Sequence, residues 1–326
     1  MDISFLCLNY SRESTCGRIK KSPRWEDDHG VAATVGTIMA LMVFLAMFGL
    51  FTNQFVPIWM SDNESAHMSN ALEQFTTMKS QIDGLVADFS NSYLAPTPIF
   101  IPITLHSAGI PVFAGPTAGV LYFYPQTVSG RPSFNVSYAS DTYALGPLND
   151  GHSGGYMELY CPNRYFVEQR LIYEAGAVIL NQTDGEFIVA GLQFSMSSIA
   201  GEWVMKLTQT SLVGLNKTVG GTGSKGVNAD LLYADTSVYK KTGGNPVTIT
   251  IVTKHGNAWE GYFNRTLINS GLVYGETTGD YYITNQYYPN NNRNLAYYVL
   301  TVVIMDVGTF DYTHAVVQMS VDEIGV

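Results

Sequence analysis

The sequence predicts an α+β protein: one long N-terminal helix followed by an antiparallel, β-rich, sandwich-like domain. Three observations carry this reading. Residues 31–52, VAATVGTIMALMVFLAMFGLFT, hold no charged side chain. Apolar residues then recur at alternating spacings of four and three as far as Phe89. From Pro96 onward the apolar period changes to two.

The uncharged run decides the first element. At about 1.5 Å per residue it spans the roughly 30 Å hydrocarbon core of a bilayer. Backbone inside lipid must satisfy its own hydrogen bonds, so the run is a helix, assigned to residues 31–56. Arg12, Arg18, Lys20, Lys21 and Arg24 precede it, whereas Asp62 and Glu64 follow it with no basic residue before Lys79. The bias places residues 1–30 in the cytoplasm as a leader and the rest outside. Trp25 and Trp59 stand at the two ends, where indoles settle among headgroups. A secretory signal fits poorly: the polar stretch is too long and no small-residue cleavage site follows.

Residues 57–92 extend the helix. Met68, Leu72, Phe75, Ile82, Val86 and Phe89 form a heptad stripe, with Lys79 in the one polar slot. The stripe packs either on the protein's own domain or on another copy. Pro57 removes a donor and predicts a bend near that point.

Residues 93–326 form the exterior β-rich domain. Phe134, Val136 and Tyr138 alternate with Asn135 and Ser137; Val247, Ile249 and Ile251 alternate with Thr248 and Thr250. Both patterns read as strands buried on one face. AVILNQ and EFIVAG flank Thr183-Asp184-Gly185 as a hairpin. Runs 295–306 and 314–321, rich in Val, Tyr and Ile, read as central strands. One helix interrupts: Asn257 and Glu260 have capping-box spacing, Trp259, Tyr262, Phe263 and Leu267 give an apolar face, and Gly271 closes it. Segments 220–226 and 290–294 read as surface turns.

Charge and cysteine use narrow the partners. Residues 1–30 carry five basic and five acidic side chains, so the net charge of −10 belongs to the outer part. Phosphate contacts need clustered Lys and Arg, so nucleic acid is excluded as a partner. Cys7 and Cys16 fall on the cytoplasmic side and Cys161 stands alone outside, leaving no internal disulfide there. Beyond the span, sequons begin at Asn63, Asn135, Asn181, Asn216 and Asn264 and permit glycosylation.

Several stretches resemble a known family. Asp27-Asp28-His29-Gly30 followed by Val31-Ala32-Ala33-Thr34-Val35-Gly36-Thr37 resembles the start of archaeal type IV pilin-like (flagellin-like) proteins. Gly155 to Tyr160, then Asn163-Arg164-Tyr165-Phe166, Gln169 and Tyr173-Glu174-Ala175-Gly176-Ala177-Val178-Ile179, is similar to a signature of an archaeal subgroup of that family. Pro57-x-Trp59-Met60 with Glu64-x-x-His67-Met68 is similar to euryarchaeal members. The resemblance implies a type IV pilin-like architecture at the cell surface. It also implies cleavage between Gly30 and Val31 by a prepilin peptidase, and association with other pilin-like subunits, or with itself, through the N-terminal helix. Val35 stands where family members carry glutamate. A buried N-terminal amine without that carboxylate is costly. Three outcomes stay open: no cleavage, a tip or minor filament position, or no polymerisation. Ala32, Gly36 and Ala40 form a small-residue ridge along which a second helix can approach.

Motifs for chemistry are thin. Gly151-His152-Ser153-Gly154-Gly155 fits the G-x-S-x-G pattern, and Ser153, Asp230 and His255 follow hydrolase order. A nucleophile elbow needs a strand before the serine and a helix after it; a turn precedes here and a strand follows. No two histidines have ligand spacing, and Glu64-x-x-His67 is a single pair. Asp150, Asp184, Glu186 and Asp230 lack the ordered spacing of a calcium loop. The 21 tyrosines are read as core-forming. The expectation is therefore a non-catalytic, pilin-like single-pass surface protein with a structural, assembly or adhesion role, without cofactor or metal. The alternative is an uncleaved single-pass protein with a ligand- or partner-binding ectodomain. A membrane-tethered serine hydrolase using Ser153 is a remote third.

Overall fold

The computed structural model describes residues 26–92, 96–125, 133–138, 144–145, 154–289 and 296–323. The chain divides into two units, residues 1–53 and 54–326.

In the first unit, α1 (Glu26–Leu50) starts ahead of the uncharged run, so Gly30 and Val31 both lie in helical backbone. From Ala32 to Phe48 every side chain is exposed, the small-residue positions Ala32, Gly36 and Ala40 included. A helix apolar all round and exposed all round has no aqueous core to join, and by length and composition it can cross a membrane. A π-helical turn follows at Phe51–Phe55.

The second unit opens with α2 (Val56–Ser92). Pro57 has no N–H for the carbonyl four residues earlier, and a widened turn just upstream is how a helix passes such a gap. The heptad stripe packs on the protein's own domain. Met68, Phe75, Ile82 and Val86 are fully buried, with Leu72 and Phe89 partly buried against the same core. Each such side chain stabilises by roughly 1.5–3 kcal/mol, enough to hold α2 against the sheets. Buried Lys79 pairs with Asp83 one turn on.

Among the described residues fourteen strands follow: β1 (Ile99–Thr104), β2 (Gly119–Tyr124), β3 (Ser133–Tyr138), β4 (Ala144–Leu145), β5 (Tyr156–Cys161), β6 (Gln169–Glu174), β7 (Ala177–Gln182), β8 (Gly185–Ala190), β9 (Phe194–Ile199), β10 (Glu202–Gly214), β11 (Lys217–Gly221), β12 (Ser224–Thr253), β13 (Tyr281–Tyr288) and β14 (Tyr297–Glu323). They make two sheets. The inner sheet has the order β11-β2-β5-β6-β7-β8 and is antiparallel throughout. The outer sheet has the order β4-β3-β12-β14-β10-β9, with β1 added to β12 and β13 to β14.

Two expectations need correction. The β-domain is not purely antiparallel, because β10 runs parallel to β14 from Trp203↔Val307 to Gly214↔Met319. Nor is it a simple two-layer sandwich, because the inner sheet is covered on both faces. Leu171, Tyr173, Val178 and Leu180 point into one core with α2, while Ile172, Ala177 and Ile179 point into the other. Successive strand residues face opposite sides, so β6 and β7 read as unbroken apolar runs rather than alternations.

The outer sheet serves both cores because its two central strands are very long. The first part of β12 joins β1 and the end of β14 over the α2-side core; the last part of β12 joins β3 and the start of β14 over the other. The expected runs 295–306 and 314–321 are one strand, kinked at Asp306, whose φ is +53°. The expected surface turn at 220–226 is mostly strand, leaving only Thr222 and Gly223 between β11 and β12. The 290–294 turn lies outside the described residues.

The predicted helix is present as α3 (Gly256–Asn269), with Trp259, Phe263 and Leu267 buried. Its C-terminus closes as expected: Gly271 (φ +92°) donates to Ile268 and Leu272 donates to Leu267. Its N-terminus departs from the expectation. Asn257 and Glu260 do not form a capping box; their side-chain oxygens accept from Asn285 Nδ2 at 3.3 and 2.8 Å.

Candidate functional site

Two buried carboxylates organise the polar interior of the domain. Glu64, early in α2, has no solvent exposure. It lies four residues before Met68, so it occupies the buried stripe of the helix. Its Oε1 accepts from Thr117 Oγ1 at 2.6 Å, and its two oxygens accept the successive backbone N–H groups of Arg164, Tyr165 and Phe166 at 2.8–3.1 Å. Three consecutive amides converging on one carboxylate form an anion nest. Burial alone would raise the Glu64 pKa, but the Thr117 hydroxyl and the three amides outweigh it and hold it below the ordinary value.

Neighbouring side chains extend the clamp. Asn63 Nδ2 donates to the Ala108 carbonyl at 3.1 Å, and His67 Nε2 donates to the Thr104 carbonyl at 2.9 Å. Gln74 accepts from the Thr104 N–H at 3.0 Å. One face of α2 thereby holds points between residues 104 and 117, and residues 164–166. Burial, with nearby His106, pushes the His67 pKa down despite the Thr104 contact. Glu64 and His67, read from sequence as a possible ligand pair, thus bond to different backbone segments.

The second carboxylate is Glu174, on β6 beneath α3. It accepts from Trp259 Nε1 at 3.2 Å, and burial pushes its pKa up against the pull of His255, Thr253 and Trp259. Beside it, Glu186 on β8 accepts from His255 Nδ1 at 2.8 Å and from Asn181 Nδ2 at 3.1 Å. The other Glu186 oxygen takes the backbone N–H groups of Asn257 and Ala258 at 3.1 and 3.3 Å. Glu186 therefore caps α3 from a distant strand, placing a negative charge at the positive end of the helix dipole. Burial raises its pKa, but His255 leads a set of contacts that bring the net value below the ordinary one.

The remaining sequence candidates fall as follows. Gly151, His152 and Ser153 lie outside the described residues; Tyr156–Cys161 after them is a strand, so a strand–serine–helix elbow is not formed. His255 Nδ1 is engaged by Glu186 rather than Asp230. Asp150 lies outside the described residues, and among the described residues no group of three His, Cys, Asp or Glu is placed to hold a metal. Cys161 is a free, buried thiol whose pKa burial pushes up to about 12. Cys7 and Cys16 lie outside the described residues.

The sequons separate into two groups. The amide nitrogens of Asn63 and Asn181 are used inside the fold, on Ala108 and Glu186. Asn135, Asn216 and Asn264 are exposed. Tyrosines divide too: Tyr173, Tyr281 and Tyr312 are buried in the cores, whereas Tyr165, Tyr274 and Tyr287 stand at the surface.

Comparison with protein-family models, curated proteins and solved structures returned no match for this chain. Sequence reading missed the role of Glu186, because its partners lie about seventy residues away. The Glu64 clamp left one trace: an acidic residue in an otherwise apolar helix stripe demands a buried partner.

Proposed function

We propose that this chain is a pilin-like, single-pass, membrane-anchored surface protein of an archaeon, with a structural, assembly or adhesion role and no catalysis. The observation that carries the reading is α1, apolar and exposed from Ala32 to Phe48 while the rest of the chain has its own cores. In this reading residues 1–30 face the cytoplasm and the β-domain stands outside, where exposed Asn135, Asn216 and Asn264 accept glycans. The ridge of Ala32, Gly36 and Ala40 is open to a second helix, which supports association with like subunits. With the α2 stripe buried in its own domain, α1 is the helix left for such association in this reading.

Alkaline extraction of membranes, followed by intact mass and N-terminal sequencing, tests the reading. Retention in the membrane with a mature chain beginning at Val31 is the expected outcome. Release into the supernatant would remove the anchor, and a membrane chain beginning at Met1 would remove the processing step.

A second reading has its own observation. Val35 is exposed on α1 where a filament subunit of this kind carries glutamate. The uncleaved single-pass protein with a partner-binding ectodomain is therefore the alternative, and a chain beginning at Met1 selects it. Labelling of Ser153 by a fluorophosphonate probe would overturn both in favour of a hydrolase.

A further inference from the structure

The Glu64 clamp gathers two loops at one end of the domain, and their tips are apolar. Residues 107–121 contain no charged side chain. Within them, Ile110 to Ala114 closes on itself, with Ile110 N–H donating to Ala114 and Ala114 N–H donating to Ile110. The tip of this turn is Val112, fully exposed and at φ +73°. A β-branched residue in the left-handed region costs on the order of 1–3 kcal/mol, and a valine surrounded by water recovers nothing for it. Phe113 beside it is 39% exposed. The second loop, closed by Asn163 Nδ2 donating to Val167, exposes Arg164, Tyr165 and Val167.

Both loops are tied to Asn63 and Glu64, and that fixes their level along α2. Phe55, Ile58 and Trp59 at the start of this unit are also exposed. An exposed tryptophan at the end of a membrane span marks the headgroup level. Asn63 lies one helical turn further on, about 6 Å at 1.5 Å per residue. Loops held there stand within about one helical turn of the headgroup level.

We propose that loops 110–113 and 164–167 form a lipid-contacting foot, with Val112 and Phe113 entering the headgroup–acyl boundary. Tyr165 supplies an aromatic of the kind enriched at interfaces. Arg164 faces lipid phosphate; Asp62 and Glu168, the exposed carboxylates nearby, face the choline side of a zwitterionic headgroup. The second unit then touches lipid through two loops of its own, in addition to the anchor. This inference rests on the membrane-anchor reading above.

Site-specific fluorescence on the full-length chain in phosphatidylcholine vesicles tests it. Cys7 and Cys16 are changed to serine; Cys161, buried with a raised pKa, stays unlabelled. An environment-sensitive dye is placed in turn by Val112→Cys, Tyr165→Cys, Met42→Cys in α1, and Val238→Cys, fourteen residues along β12 from Ser224. Two sets of lipids then serve as quenchers, one brominated near the headgroup for positions 112 and 165 and one brominated near the bilayer centre for position 42. Emission from positions 112 and 165 is expected to be more than halved, as is that from 42, with 238 unchanged. Quenching at 42 alone overturns the foot and leaves the anchor standing. No quenching at 42 removes the anchor and the foot together. Shielding of 112 and 165 from aqueous iodide without lipid quenching shows a protein contact instead, and also overturns the proposal.

Discussion

Glu64 and Glu174 are equally hidden from water, at 0% and 2% exposure, yet their carboxyls move in opposite directions. Burial opposes the charge at both. At Glu64 a hydroxyl and three backbone amides replace water's donors, and the charged form wins. At Glu174 an indole N–H, a threonine and a nearby histidine are too few, and the protonated form gains. Burial alone therefore does not determine a carboxylate's state; the count and aim of the donors around it do. The two sites also differ in what they hold. Glu64 fastens loops outside the two sheets, one of them closed by isolated bridges such as His106↔Ala118, whereas Glu174 sits under a helix that apolar packing already secures.

The largest test of this contrast is Glu64→Ala. It strands the three amides and the Thr117 hydroxyl, so a loss of about 3–5 kcal/mol in folding stability is expected. Amide exchange at Arg164, Tyr165 and Phe166 should accelerate together. Unchanged protection of those three amides would show that the clamp is not what orders the loop.

Acid titration separates the two sites next. Glu64 has a folded pKa below its unfolded one, so its stabilisation is complete above the unfolded value and lost as pH falls through the folded one. His314, buried and bonded to Ser211, is pushed down to about 4; its stabilisation is complete above the usual 6.5 and lost as pH falls toward 4, by roughly 3 kcal/mol. Glu174 runs the other way: its contribution is complete below the unfolded carboxylate value and lost as pH rises through its raised pKa. Denaturant midpoints at pH 7 should exceed those at pH 4, and His314→Gln should shrink that difference. An unchanged difference in His314→Gln would show that His314 does not carry it.

Glu186→Ala removes a helix cap and the His255 partner, for an expected loss of about 1–3 kcal/mol. Thermal unfolding with Trp259 fluorescence reads it directly, and a loss as large as that of Glu64→Ala would contradict the ranking. The smallest effect belongs to Glu174→Gln. The amide keeps an acceptor for Trp259 and removes a poorly solvated charge, so stability at pH 7 should stay within about 1 kcal/mol of the parent. A loss of several kcal/mol would mean that Glu174 is held as firmly as Glu64.

Much of the fold was legible from periodicity. The uncharged run, the heptad stripe of α2, the alternating strands at 134–138 and 247–251, the hairpin at 183–184 and the glycine closing α3 each depend on near neighbours in the chain. The candidate sites were barely legible. Glu64 was read as half of a weak ligand pair and Glu186 only as a turn carboxylate without calcium-loop spacing, because Glu64 is held largely by backbone amides, which carry no sequence signature, and Glu186 by His255 and amides about seventy residues away. The capping box at Asn257 and Glu260 failed for a related reason: a carboxylate about seventy residues away accepts from the Asn257 N–H that the Glu260 side chain would have taken.

By itself the sequence determined the helices and several of the strands, and that α1 is apolar on every side. Those properties follow from side-chain spacing and from the length a charge-free helix can reach. Only the tertiary structure decided that the inner sheet is covered on both faces, that β10 runs parallel to β14, and that α2 packs on its own domain. It also decided that two buried glutamates have opposite protonation preferences. Each of these depends on which distant groups displace water from a given atom, and local spacing does not encode that.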